Sequence, residues 1–101
     1  MEKKMNKNTI VNFEGKKIKI PFDIYVDPKK ANDLETVANP FTGKKATLPK
    51  FAVAVYDVIK GSEALLNNNH QPLAAEIERS FNKGREFFQK YFTDEYYTLL
   101  D

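Results

Sequence analysis

His70 is the only histidine in this chain, and there is no cysteine. A zinc or iron centre needs several His, Cys or carboxylate ligands at fixed spacing. The neighbours of His70 are amides: Asn67, Asn68, Asn69 and Gln71. A Ser–His–acid arrangement could be drawn from Ser62 or Ser80, but no G-x-S-x-G elbow marks a nucleophile. Glu76 and Glu78 are two apart on a helical segment and point in different directions, which suits paired acid–base work poorly. The four glycines are scattered singly, so no phosphate-cradling loop is formed. These residues predict no catalytic centre, no cofactor and no metal. Asp57 interrupts the apolar run around it and is expected on the solvent face of its helix, since a buried Asp would require a partner.

Two other sets of residues could make contacts rather than chemistry. Lys16, Lys17 and Lys19 cluster near Gly15, with Lys3, Lys4 and Lys7 just before, and Lys44 and Lys45 follow Gly43. Lysines on hairpins can neutralise phosphates. However, no Arg precedes Arg79, and Arg is the residue of bidentate recognition. Lys on an exposed strand edge is also an ordinary guard against edge-to-edge pairing. The second set is aromatic: Phe81, Phe87, Phe88, Tyr91, Phe92, Tyr96 and Tyr97 crowd the C-terminal region. Phe87 lies roughly 100° from Phe88 around a helix, so a single core face does not take both. Phe87 and Tyr97 are therefore expected at a partner surface, joined by Asn39 and Phe41 from the NPFTG turn.

These residues must be positioned by two unlike halves. Residues 1–50 carry eleven Lys against six acidic residues, net +5; residues 51–101 carry five Lys or Arg against eight acidic residues, net −3. A chain of 101 residues, 42% hydrophobic with thirteen Phe or Tyr, can fill one core and has no length for a second. Met1–Asn8 is expected to be a flexible tail. Thr9–Phe13 reads as a strand, turning at Glu14-Gly15 into a period-two run in which Ile18, Ile20, Phe22, Ile24 and Val26 share one face. Pro21 should hold that run to an edge or a bend. Residues 27–47 read as loop, with one helical turn over 31–38 and a Pro40–Gly43 turn. Thr47 is the expected N-cap of a helix through Leu66, and Pro72 the expected start of the next. Leu73, Ile77, Phe81, Gly84, Phe88 and Tyr91 mark one face of that long helix, with Gly84 permitting a close neighbour. Thr93 should cap a last helix with Tyr96, Leu99 and Leu100 inward.

NPFTG at Asn39–Gly43, LP-x-FAVAVYD-x-I-x-G-x-E at Leu48–Glu63 and KG-x-x-FF…EY-x-x-LLD at Lys83–Asp101 resemble small uncharacterised proteins of tailed bacteriophages. The resemblance covers roughly the C-terminal two-thirds and leaves the hairpin half outside it. Phe87-Phe88 stands where an aromatic pair including Trp is expected. The resemblance implies a phage accessory protein acting in the infected bacterial cytoplasm, with no catalytic residues to carry over.

The expectation is thus a single α+β domain over residues 1–101: an N-terminal β-hairpin or small antiparallel sheet packed against two or three C-terminal helices. The longest apolar run, Phe51–Tyr56, falls well short of the ~20 residues of a membrane span. The charged N-terminal residues lead into no apolar h-region of a secretory signal. A non-enzymatic protein-binding module is expected, engaging or inhibiting a host or defence protein or its own copies. The other reading is a nucleic-acid binder using the Lys-rich hairpin.

Overall fold

The fold is known from a computed structural model that describes residues 3–66 and 74–100. Among these residues six short strands precede three helices in an α+β arrangement: β1 (Lys3–Met5), β2 (Ile10–Phe13), β3 (Lys16–Lys19), β4 (Ile24–Val26), β5 (Leu34–Ala38), β6 (Lys45–Pro49), α1 (Lys50–Leu66), α2 (Ala74–Tyr91) and α3 (Thr93–Leu99). The strands form three two-stranded antiparallel sheets, β1–β4, β2–β3 and β5–β6.

The first two sheets are one long hairpin broken in the middle. Phe13 pairs with Lys16 across a two-residue turn, and Glu14 and Gly15 both have positive φ, 51° and 79°. That geometry matches the right-handed twist of the flanking strands, and Gly15 adopts it without a Cβ penalty. The period-two run keeps its inward face: Ile18, Ile20, Ile24 and Val26 are buried and Phe22 half-buried. Its cross-strand bonding runs on to Ile20, whose N–H donates to Thr9 O at 2.9 Å, and breaks at Pro21–Asp23, where Pro21 has no N–H to donate. Beyond the break β4 pairs with β1 rather than continuing β3, joining Lys3 to Val26 and Met5 to Ile24. Residues 3–8 are therefore not a free tail. Asp23 holds them, accepting from the Lys7 backbone N–H at 2.7 Å and pairing with the Lys4 ammonium at 3.0 Å.

The segment 27–47 departs from the expected loop. LETVA at 34–38 is strand β5, not a helical turn, paired with KATLP at 45–49. The Thr36 and Thr47 hydroxyls meet across the ladder at 3.2 Å. Thr47 is thus a strand residue and caps nothing. Helix α1 starts directly from β6, and backbone carbonyls serve its first N–H groups: Lys50 donates to Asp33 O at 2.8 Å and Phe51 to Ala31 O at 3.0 Å. Thr93 likewise does not cap α3, because its hydroxyl bonds back to Gln89 O at 2.9 Å. Asn67–Leu73, including His70 and Pro72, lie outside the described residues.

The core forms where α1 meets α2 and the strands. Phe51, Val55 and Ile59 of α1 and Phe88 of α2 are fully buried. A Cβ on Gly84 would lie 2.8 Å from Ile59 Cδ1, so the glycine lets the two helices approach. Phe81, Ile77 and Tyr91, further along the same stripe, are half-buried.

Candidate functional site

Phe87 is only 4% exposed and does not form a surface. Its ring packs 5.5 Å from Phe88, 5.4 Å from Tyr91 and 5.8 Å from Phe92, centroid to centroid. The chain bends at Phe92 between α2 and α3, which folds that ring back onto Phe87 and Phe88. Phe13 and Phe51 complete the cluster around Phe92. An aromatic 100° off the helix stripe is buried because a second element covers the second face.

Asn39 is also no surface contact: it is 5% exposed. Its Oδ1 accepts from the Phe41 N–H at 2.8 Å and the Thr42 N–H at 3.3 Å, while its Nδ2 donates to Thr98 O of α3 at 3.0 Å. Its backbone closes the turn through Gly43 N–H to Asn39 O at 2.8 Å. One amide therefore shapes the β5–β6 turn and ties it to the C-terminal helix.

The consequence of that clamp is Phe41. It is 85% exposed, more than any other large hydrophobic side chain among the described residues. The Lys60 ammonium of α1 lies 5.6 Å from its ring centroid, and Lys60 in turn pairs with Glu63 at 3.5 Å. Tyr97, 61% exposed, stands beside Thr98 and packs edge-on against buried Tyr96. The Asn39–Thr98 hydrogen bond thus ties the turn that carries Phe41 to the helix that carries Tyr97, with exposed Lys44 and Lys45 next to the turn. The NPFTG turn was visible in the sequence; the role of Asn39 within it was not, because its acceptor sits 59 residues away.

The lysines separate into two groups. Lys16, Lys17 and Lys19 lie on β3, all exposed, and Lys44 and Lys45 lie at the other hairpin. Lys16 lines a cleft of about 520 Å³ between the β2–β3 turn and the α2–α3 junction, but Glu14, Asp94 and Glu95 line it too. Lys19 borders a different cleft, on α2.

Asp57 is exposed on α1, where partial desolvation, with Glu35 adding to it, holds its carboxyl above the ordinary value. Ser62 is buried, and Glu76 and Glu78 are both exposed. Among the described residues no three His, Cys, Asp or Glu side chains are grouped to hold a metal ion. None of the described helices is long and apolar enough to cross a membrane. No protein-family model, curated protein or solved structure matches this chain.

Proposed function

We propose that this chain is a non-enzymatic protein-binding module whose contact surface is the β5–β6 turn bearing Phe41, with Tyr97 of the α3 helix to which that turn is tied. The observation that carries the reading is Phe41 itself: a nearly bare phenyl ring on a turn fixed by five hydrogen bonds of Asn39, among them its own N–H to Lys44 O at 2.8 Å. Exposing such a ring is unfavourable in the free protein, while a braced one loses little freedom on binding, the combination found in interface hot spots. With Lys44, Lys45 and Lys60 around it, the ring suits an apolar pocket rimmed by carboxylates. The resemblance to phage accessory proteins favours a host or defence protein in the bacterial cytoplasm as the partner, with a second copy of the chain as the other candidate.

The test compares three variants by thermal melting, by solution mass and by recovery of bound protein from bacterial lysate treated with nuclease. Phe41→Ser and Tyr97→Ser should keep the wild-type melting temperature and lose a specific partner or the dimer. Phe87→Ser should instead lower stability by about 3–5 kcal/mol, as a buried ring does. Unchanged partner recovery and solution mass in Phe41→Ser would defeat the proposal.

A further inference from the structure

Four lysines from separate parts of the chain converge on one cleft. Lys7 follows β1, Lys19 ends β3, and Lys83 and Lys90 lie two turns apart on one face of α2. The cleft has a volume of about 330 Å³, and Ile20, Phe87 and Tyr91 give it an apolar floor. Glu86 is the one carboxylate among its lining residues, which leaves these five charges at net +3. Asp23, the acidic residue that fixes Lys7, is occupied by the Lys7 backbone and by Lys4. The ion pairs among the described residues are Lys4–Asp23 and Lys60–Glu63, so none of the four cleft lysines has one. Lys7 stands close enough to Lys83 to hold that ammonium below the ordinary lysine value, with desolvation and Arg79 acting in the same direction and Glu86 against it.

Cations gathered this closely repel one another, and an anion in the cleft turns that repulsion into attraction. Lysine ammoniums on flexible stems are point charges suited to phosphate oxygens. The floor adds a second requirement, a flat apolar group. Tyr91 is half-buried, with the Lys90 ammonium 5.2 Å from its ring centroid, a place that a base or the lysine can occupy in turn. The volume lies at the lower end of the roughly 300–1,000 Å³ of small-ligand pockets, which fits one unit rather than a large ligand.

We infer that this cleft binds a nucleotide unit, with phosphate on Lys7, Lys19, Lys83 and Lys90 and the base against Tyr91. The unit comes either from a free nucleotide or from a single-stranded nucleic acid. The site is independent of Phe41, and two of its four lysines, Lys83 and Lys90, lie outside the Lys-rich N-terminal half.

Adenosine triphosphate and an end-labelled six-residue oligothymidylate are the two probes, titrated by calorimetry and by fluorescence anisotropy against the full chain. Binding of the triphosphate alone assigns the site to a free nucleotide, and tighter binding of the oligomer assigns it to a strand. In either case Lys19→Gln with Lys83→Gln should weaken binding at least tenfold, while Lys44→Gln with Lys45→Gln, equal in charge change, should alter it less than twofold. If three or four strand phosphates are neutralised, oligomer affinity should fall about 20–50-fold between about 50 and 200 mM salt. Both double variants should keep the wild-type melting curve, since Lys19, Lys44 and Lys45 are exposed and Lys83 is half-exposed at the rim of the cleft. The inference is overturned if neither probe binds at the lower salt, or if the Lys44/Lys45 variant loses as much affinity as the Lys19/Lys83 variant.

Discussion

In the β2–β3 hairpin the turn is two residues long, and Glu14 and Gly15 both hold the positive φ it requires. The β5–β6 hairpin spans residues 39–44 between its strands, and its turn is organised by a buried Asn39 amide tied to Thr98 of α3. The first turn is specified within four consecutive residues. The second depends on a helix that follows it by some fifty residues in the chain. The difference also separates the two candidate surfaces. The locally coded hairpin contributes Lys19 to a charged cleft. The tertiary-dependent one holds up Phe41, an exposed ring that a floppy turn would not keep in place.

The largest effect is expected at Asn39. Asn39→Ala removes the donor to Thr98 and strands the Phe41 and Thr42 N–H groups beside a partly buried turn. It should cost about 2–3 kcal/mol in chemical denaturation, and amide exchange should rise at the β5–β6 turn and at the end of α3 together. Faster exchange at the turn alone would mean that the hairpin is as local as β2–β3.

A smaller loss is expected at Gly15. Placing a Cβ at φ 79° costs about 1–2 kcal/mol, with no steric neighbour within 4 Å to add to it. Exchange should increase across β2 and β3 and leave β5–β6 untouched. A loss as large as that of Asn39→Ala would remove the distinction between the two turns.

The smallest effect concerns the break between the first two sheets. The Lys7 backbone N–H, followed by the Lys4 ammonium, holds the Asp23 carboxyl below its ordinary value. A depressed folded value means that the carboxylate stabilises the fold above the unfolded value and that this contribution disappears as pH falls through the folded one. Asp23→Asn should therefore lower the melting temperature slightly at neutral pH and leave it unchanged well below the carboxylate range. A difference between the two proteins that persists in acid would show that Asp23 acts by shape rather than by charge.

The strand–helix order, the Glu14-Gly15 turn, the inward set from Ile18 to Val26 and the contact at Gly84 were legible in the residues, because each rests on neighbours within a few positions. LETVA was misread as a helical turn because Leu, Glu and Ala favour helix by themselves. Only pairing with residues 45–49 makes it a strand. Thr47 and Thr93 look like caps in a sequence, yet one lies in a ladder and the other bonds back into α2.

Hydrophobic period and local turn geometry are enough to set the class of the fold. Which polar and aromatic groups face water depends on long-range packing. Phe87 was expected outside because one helix face cannot hold every ring, but the bend at Phe92 and the strands provide a second buried face. Asn39 looked like a turn residue and became a bridge to α3. Lys7, Lys19, Lys83 and Lys90 are scattered over more than eighty positions and meet only when the hairpin lies against α2. Burial and charge convergence are properties of distance in space, and a chain specifies those only once its long-range contacts have closed.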